Sequence, residues 1–355
     1  MDAAPGMRES RRNRGGSMPV SSVATIEAVF AYCRGALPSV SRTFALTIPR
    51  LDEPLRTEVA VCYLLCRAVD TVEDHPGLPG AERDALLAWI LENATRPPGA
   101  VAAREFLDRW PPHPDPAHQS LMEHITDLFL ARAALSSSTR EALDACLEEM
   151  VAGMRAFPAG RTDSVVAACP TVERLDAYCH AVAGTVGLLL SRLFGRRIAE
   201  KGWLDAACSE RGRRLGLGLQ LTNILKDHRA DAGRGVVYLP PGWLEGERPG
   251  APLTAAGRRA GVRRALEHLE HGSRYILGIP AGAADMRIFC AIAHHLALAT
   301  LAAIADPHGP RPPKISRGAV AEIVETIEGL HGEDAALTLR TRDLHDSVLI
   351  FLDQL

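Results

Sequence analysis

The sequence predicts an all-α protein of 355 residues. Apolar residues recur with the 3.6-residue period of a helix along most of the chain, and no segment alternates convincingly as a half-buried strand does. Proline pairs such as Pro97-Pro98 and Pro111-Pro112 separate these segments, as expected of turns between helices. The predicted helices cover about residues 26–37, 54–74, 81–93, 101–109, 117–134, 138–156, 171–194, 199–229, 254–277, 284–305, 316–330 and 333–353.

The domain organisation predicted from the sequence is simple. Residues 1–22 are small, polar, basic and without period, which predicts a disordered tail. Residues 23–355 are expected to form a single helical domain, because turn signals but no linker interrupt the helical pattern. Several of its helices are apolar nearly all round, as expected of helices buried around a central apolar cavity.

The helix predicted at 54–74 carries polar side chains on one face. At about 100° per residue, Tyr63, Arg67, Asp70 and Asp74 fall within an arc of roughly 60°. Left unpaired in a core, such groups would cost several kcal/mol. This stretch alone leaves two interpretations equally open, a helix end with an Arg–Asp pair facing water or a functional polar stripe.

A second polar stripe favours the functional interpretation. It follows spacings of three, four and four, and consists of Gln220, Asn223, Asp227 and Asp231. Leucines occupy the opposite sides, so this helix is also predicted to be largely buried. Mg²⁺ prefers oxygen ligands and is usually held by one or two carboxylates plus substrate phosphates. Two Asp-x-x-x-Asp pairs therefore predict a diphosphate clamped by Mg²⁺, with Arg67 helping to neutralise it, as ionisation of an allylic diphosphate requires.

Composition limits the partners and the compartment. The net charge of −3 gives no nucleic-acid footprint. Eight cysteines in a chain of this length predict buried thiols in a reducing compartment rather than a disulfide framework. Residues 1–17 show no apolar run of a secretory signal, and the longest apolar stretch, 288–305, contains two histidines. We expect a cytoplasmic protein without a transmembrane segment that contacts the inner face of the membrane only peripherally.

Five of the histidines have ordinary structural explanations. His268 and His271 are predicted to lie on a solvated face of a basic amphipathic helix. His294 and His295 are expected to be hydrogen-bonded core histidines, and His180 is expected to serve packing alone.

The segment 178–194 combines one phenol with a series of small residues. Tyr178, Val182, Thr185 and Leu189 form one stripe, and alanines and glycines keep the helix slim. Close helix packing is the simpler explanation of this pattern taken by itself. Next to two metal-binding helices, a slim wall with a phenol near its start also fits the side of a cavity for long apolar tails.

Six motifs resemble the squalene/phytoene synthase family, and the last two resemble squalene synthases (farnesyl-diphosphate farnesyltransferases) in particular. They are SRTF from Ser41, YLLCRAVDTVED from Tyr63, YCHAVAGTVG from Tyr178, LGLQLTNILKD from Leu217, FCAIAHHLALATLA from Phe289 and KISRG from Lys314. The resemblance runs from about Ser41 to Ile327. It implies an isoprenoid-synthase fold and a Mg²⁺-dependent 1′–1 condensation of two farnesyl diphosphates, through presqualene diphosphate to squalene, with release of pyrophosphate.

The resemblance also implies roles for individual residues. The catalytic, Mg²⁺-holding carboxylates would be Asp70, Asp74, Asp227 and Asp231. The substrate diphosphates would meet Arg42, Tyr63, Arg67, Gln220, Asn223 and Lys226. Tyr178 would act near the proton lost in cyclopropane closure. NADPH, the reductant of the last step, would face Asn223, Lys314 and Arg317, outside any Rossmann unit because no GxGxxG motif follows a strand.

The chain departs from the family pattern near the diphosphate and cofactor side. Ala230 stands where glutamate is usual, and Val236 and Lys226 stand where arginine is usual. Ser316 replaces a basic residue, and His75 replaces an aspartate. They indicate either an altered second half-reaction or drift, with Arg234 supplying the charge missing at Val236.

Two alternatives to a squalene synthase stay open. The first keeps the fold and the first ionisation, and yields presqualene diphosphate, dehydrosqualene or hydroxysqualene, or prenylates or cyclises another isoprenoid. The second is a non-catalytic relative that only holds a prenyl chain. The four intact motif aspartates and Arg67 weigh against this second alternative.

Overall fold

The computed structural model describes residues 26–95, 99–157, 166–167, 169–233, 235–309 and 313–354. The prediction of an all-α fold is confirmed. The helices are α1 Ile26–Val40, α2 Phe44–Thr47, α3 Leu55–Glu73, α4 Gly80–Thr95, α5 Ala100–Arg109, α6 Pro116–Glu123, α7 Ile125–Ala133, α8 Ser137–Ala156, α9 Val172–Cys179, α10 Thr185–Gly195, α11 Ala206–Gly233, α12 Ala255–Gly278, α13 Ala284–Ala305, α14 Arg317–Leu330 and α15 Asp334–Asp353. The predicted disordered tail at 1–22 lies outside the described residues.

Short irregular elements complete the described part of the chain. Three 3₁₀ turns lie at Ile48–Arg50, Pro241–Trp243 and Glu245–Glu247. Two strands were not predicted: β1 (Val166–Ala167) and β2 (Val236–Val237) form a short parallel pair with Val166 opposite Val236. Two residues per strand carry no alternation that a sequence pattern could reveal.

Two predicted helices are interrupted. The one expected at 117–134 breaks at His124, whose ring stacks on Tyr32 with centroids 4.1 Å apart. The one expected at 171–194 contains a π-helical turn, His180–Gly184, between α9 and α10. In addition, α11 begins at Ala206 instead of residue 199. The carboxylate of Asp205 accepts a hydrogen bond from Cys208 N at 2.6 Å. It thereby satisfies one of the backbone N–H groups that have no partner within the helix at its start.

The two helices with aspartate motifs lie inside the bundle. Helix α11 packs against α10, α12 and α13, while α3 packs against α1, α4, α7 and α8. Leu64, Leu65 and Val69 of α3 are completely buried. Burial of each such side chain contributes roughly 1.5–3 kcal/mol, so packing holds the motif helices in place.

Helices α10 and α11 approach each other through glycines. A Cβ on Gly187 would lie 2.2 Å from Gly212 O, and one on Gly216 would lie 2.2 Å from Ala183 O. No side chain larger than hydrogen fits these positions unless the helices separate. Close helix packing, the simpler explanation of the small residues at 178–194, is therefore confirmed.

Within the described residues, two helical stretches are long and apolar enough, by length and composition, to cross a membrane. They are Val172–Gly195 and Ala284–Ala305, whose most apolar windows are 50% and 72% buried inside the protein. The expectation for the second stretch, a buried helix with hydrogen-bonded core histidines, is confirmed. His294 Nε2 lies 2.9 Å from Leu269 O, and His295 Nδ1 lies 2.8 Å from Ala291 O.

The expected solvated face at His268 is wrong. His268 is 1% exposed and its Nε2 lies 3.4 Å from the carboxylate of Asp176. Arg264, one turn earlier, forms an ion pair with the same carboxylate, which joins α12 to α9. The contact was invisible in the sequence because Asp176 is 92 residues away. All eight cysteines lie in the described part of the chain, where they are buried and unpaired as predicted.

Candidate active site

The first motif forms an acidic cluster at the end of α3. Oxygen atoms of Asp70, Glu73 and Asp74 all lie within 4.8 Å of one another. Asp74 is the last residue of the helical turn, since its N–H donates to Asp70 O at 2.8 Å. Pro76 and Gly77 then prevent the helix from continuing. We call Asp70, Glu73 and Asp74 the acidic cluster.

Glu73 belongs to this cluster although the sequence argument did not select it. It is 1% exposed, and its pKa is raised well above the usual range by burial and then by the charges of Asp74 and Asp70. Burial and the two neighbouring carboxylates thus disfavour the charged form of the Glu73 carboxyl. The i, i+4 spacing of the two aspartates does not indicate Glu73, which stands at i+3 from Asp70 and so lies beside it on the helix.

Arg67 lies one turn before the cluster and is tied to two partners. Its Nη1 forms an ion pair with the Asp70 carboxylate. Its Nη2 donates to Nε2 of His118 on α6 at 2.9 Å. Among the described residues, its Nε has no hydrogen-bond partner. The predicted pairing of Arg67 with the motif is thus present, and His118 adds a contact that the sequence did not indicate.

The second motif lies along α11 with mixed exposure. Asp231 is buried, whereas the carboxylate of Asp227 is half-exposed. Lys226 Nζ lies 3.2 Å from Asp227 Oδ2 and donates to Asn223 Oδ1, also at 3.2 Å. Gln220 is partly buried one turn earlier. The predicted stripe is therefore formed, and Lys226 balances the charge of its outer aspartate.

Two stacked phenols lie within electrostatic reach of the acidic cluster. The rings of Tyr178 and Tyr238 are 4.6 Å apart between centroids and nearly parallel. Burial, followed by the charges of Glu73 and Asp74, raises the pKa of Tyr238 well above its usual range, and Asp231 adds to the shift. The Tyr238 phenol is therefore within electrostatic reach of both motifs.

Tyr178 shares this environment. Burial raises its pKa well above the usual range, as do Tyr238, Glu73 and Asp74. Its ring also meets the edge of Phe157, with centroids 5.6 Å apart. The predicted role of Tyr178, near the proton lost in cyclopropane closure, stays a prediction. Tyr238 was not predicted, because it follows β2 in an apolar run.

The other predicted contact residues lie at varying distance from the cluster. Tyr63 donates its hydroxyl hydrogen to Val40 O at 3.3 Å, and its ring lies 5.0 Å from that of Phe44. Arg42 is exposed in the turn after α1. Lys314 and Arg317 are exposed at the start of α14, and Asn223 is exposed on α11. Their predicted roles toward diphosphate and NADPH stay predictions.

The departures from the family pattern have structural settings. Val236 is 4% exposed within β2, and Ala230 is exposed on α11. Ser316 is the N-cap of α14, where its side chain accepts a hydrogen bond from Ala319 N. His75 is buried and its Nδ1 accepts a hydrogen bond from Gly77 N at 3.0 Å, which shapes the turn after the acidic cluster. Arg234 lies outside the described residues.

The structure defines an all-α protein with aspartate motifs on two of its helices, and comparison with known proteins gives the family. The squalene/phytoene synthase family model matches residues 37–318. The chain belongs to the squalene/phytoene synthase family, a family of prenyltransferases.

Individual relatives agree with this assignment. Squalene synthase 1 of Arabidopsis thaliana is 32% identical over 210 residues, and squalene synthase 1 of Panax ginseng is 32% identical over 215 residues. Each match covers 58% of this chain but only 45% or 44% of the relative, so the chain spans about half the length of these relatives.

Solved structures agree as well. A structure of TcSQS with the ligand E5700 superposes with a TM-score of 0.69 at 25% identity, covering 92% of this chain and 98% of that one. A dehydrosqualene synthase in complex with a ligand gives a TM-score of 0.55 at 20% identity, covering 86% of this chain and 96% of that one, which supports the fold alone.

Proposed function

We propose that this protein condenses two farnesyl diphosphates head to head, through presqualene diphosphate, to squalene. The observation that carries the proposal is the acidic cluster beside Arg67, in a chain of the squalene/phytoene synthase family. The first step releases one pyrophosphate and one proton. The second releases another pyrophosphate and takes up a hydride, for which NADPH is the proposed donor.

The donor set at the cluster fits Mg²⁺. Its oxygens are all carboxylate oxygens, the ligands this hard cation prefers. The raised pKa of Glu73, caused by burial and by Asp74 and Asp70, records a local excess of negative charge that a cation would relieve. Asp70 and Asp74, with Asp227 and Asp231, would hold the metal. When bound, Mg²⁺ supplies positive charge that stabilises the departing diphosphate.

Arg67 supplies a fixed positive charge at the same place. The guanidinium has five N–H donors, of which Asp70 and His118 engage Nη1 and Nη2. The second N–H of Nη1 and that of Nη2 remain for diphosphate oxygens, whereas Nε is buried. Charge-assisted hydrogen bonds of this kind are strong. Arg42 and Lys226 add cationic charge for the second diphosphate.

The proton lost in cyclopropane closure needs an acceptor. Tyr178 and Tyr238 are poor candidates as phenolates, since burial and nearby carboxylates raise both pKa values well above the usual range. We therefore assign the proton to the departing pyrophosphate, with the neutral Tyr178 hydroxyl orienting the reacting carbons. Phe157 and the stacked phenols exclude water from this region, as a carbocation requires.

The reductive half-reaction rests on fewer contacts. Lys314 and Arg317 are exposed cations, which match the phosphates of NADPH, and Asn223 is exposed on α11. Ser316, in place of a basic residue, serves as a helix cap and adds no positive charge. The first ionisation is accordingly the better equipped half of the reaction.

The test is a product analysis. Purified protein is incubated with farnesyl diphosphate and Mg²⁺, with and without NADPH, and products are separated after a fixed number of turnovers. We expect presqualene diphosphate without NADPH and squalene with it. Hydroxysqualene or dehydrosqualene in both incubations would replace the squalene synthase assignment by the alternative without reduction. Failure to release pyrophosphate from any allylic diphosphate would refute the enzymatic assignment.

A further inference from the structure

The hydrogen bond between Arg67 and His118 joins the motif helix α3 to helix α6. Arg67 Nη2 and His118 Nε2 are 2.9 Å apart, and the two residues are separated by 51 positions in the chain. The Arg67 side chain is 27% exposed and that of Asp70 is 30% exposed, so both remain partly accessible. Asp70 and His118 thus both form hydrogen bonds with the same guanidinium.

The position of His118 is fixed by its own helix. Asp115 caps α6 by accepting a hydrogen bond from Ala117 N at 2.8 Å. Gln119 Oε1 accepts from Trp110 Nε1 at 3.1 Å and from His113 N at 2.8 Å. These bonds hold the start of α6 against the preceding loop. The imidazole therefore meets Arg67 as a preorganised acceptor rather than as a mobile surface group.

The direction of the hydrogen bond fixes the protonation of His118. A guanidinium has no acceptor, so Nε2 must carry the lone pair and Nδ1 the proton. Burial, followed by the charge of Arg67, lowers the pKa of His118, with a smaller contribution from His113 in the same direction. Asp115 and Asp70 raise it, but the net direction is downward. The ring is accordingly neutral at neutral pH and able to accept.

We propose that His118 is a positioning residue, which accepts a hydrogen bond from Arg67 Nη2 and so aims the free N–H groups of that guanidinium at the substrate diphosphate beside Asp70. Without the hydrogen bond to His118, Arg67 can pair with the Asp70 carboxylate through both Nη1 and Nη2. Fewer of its N–H groups would then face the diphosphate. This inference rests on the proposed function, because it assigns a residue to the same diphosphate site.

The test compares two substitutions that differ in one property. His118→Gln keeps an acceptor near the Nε2 position, whereas His118→Leu removes it and keeps the apolar volume. We measure binding of inorganic pyrophosphate with Mg²⁺ by calorimetry, and turnover of farnesyl diphosphate. We expect His118→Leu to weaken pyrophosphate binding by about tenfold and to lower kcat/KM by at least about as much, and His118→Gln to stay within about threefold of wild type.

A double-mutant cycle of Arg67 and His118 distinguishes a positioning role of His118 from a purely structural one. In an Arg67→Gln background, His118→Leu should cause no further loss of pyrophosphate affinity, since the group it positions is gone. Additive losses, or equal affinities of wild type and His118→Leu, would overturn the proposal. If the pyrophosphate affinities follow the expected pattern while no allylic diphosphate is turned over, the positioning role stands and the proposed function fails. Absence of pyrophosphate binding by wild type would overturn both.

Discussion

Because of the buried His294 and His295, we expect the free energy of unfolding to fall steeply in mild acid. Both side chains lie on α13 and are at most 1% exposed. Burial lowers the pKa of His294 to about 3 and that of His295 to about 4. Nε2 of His294 lies 2.9 Å from Leu269 O and therefore carries the proton, while Nδ1 has no hydrogen-bond partner in the described part of the chain. Protonation of Nδ1 would place a charge in the core.

The sign and size follow from proton linkage. In the unfolded chain a histidine has a pKa of about 6.5, so the unfolded state binds protons that the folded state refuses. The stabilisation is fully present above that value and is lost as the pH falls toward the folded pKa. Between about pH 7 and about pH 5, each histidine removes roughly 2 kcal/mol of unfolding free energy, or roughly 4 kcal/mol for the pair.

The assay is urea unfolding at several pH values, with His294→Gln as the matched variant. Glutamine can still donate to Leu269 O but cannot titrate, so its effect on packing is the same at every pH. We expect wild type to lose about 2 kcal/mol more than His294→Gln between about pH 7 and about pH 5. Equal pH dependence of the two proteins would refute the inference that His294 is neutral in the folded state.

Two further predictions concern the site and the bundle. Asp70→Asn and Asp227→Asn should each lower turnover at saturating Mg²⁺ by about a hundredfold or more, with unchanged far-UV circular dichroism. The reason is that, in the proposed function, each variant loses a ligand of the Mg²⁺ that stabilises the leaving diphosphate. Near-normal rates in both variants would contradict the two-motif site. Gly216→Ala should destabilise the protein by about 1–3 kcal/mol in urea unfolding, since its Cβ would lie 2.2 Å from Ala183 O. Gly233→Ala in the same helix, where a Cβ meets nothing within 4 Å, should not; equal effects would argue against helix contact as the cause.

Periodicity was sufficient to predict most of the fold. Helices α3, α12 and α13 begin and end within about two residues of the predicted limits, because each has a continuous apolar face and a clear stop signal. The break at His124 coincides with the stacking of its ring on Tyr32 instead, and the π turn at His180–Gly184 was not predicted. Contacts of that kind leave no mark in the local sequence.

The candidate site was predictable where its residues follow one helix and unpredictable where it joins distant segments. Spacing located Asp70 and Asp74 on one turn of α3. His118 could not be found in this way, because its contact with Arg67 spans 51 positions and depends on how α6 is docked. Tyr238 is a similar case, since its stacking on Tyr178 follows from the β1–β2 pairing that no sequence pattern indicated.

The apolar residue at position 236 leads to a prediction about the second half-reaction. Val236 is buried in β2 and pairs across from Val166. Val236 stands two residues before Tyr238, whose phenol is within electrostatic reach of Glu73 and Asp74. We therefore expect an arginine at 236 to find partners among these carboxylates and the diphosphate, as a buried guanidinium needs.

We expect Val236→Arg to raise the fraction of presqualene diphosphate that proceeds to squalene at saturating NADPH. A charge-assisted hydrogen bond to diphosphate contributes roughly 1.5–3 kcal/mol, and the second ionisation must hold a leaving diphosphate while the hydride arrives. Val236→Met, which has a long side chain without charge, is the control and should leave the ratio of intermediate to hydrocarbon unchanged. If wild type already converts all of its intermediate and Val236→Arg changes nothing, the missing arginine is drift. If both variants shift the ratio alike, side-chain volume and not charge governs the step.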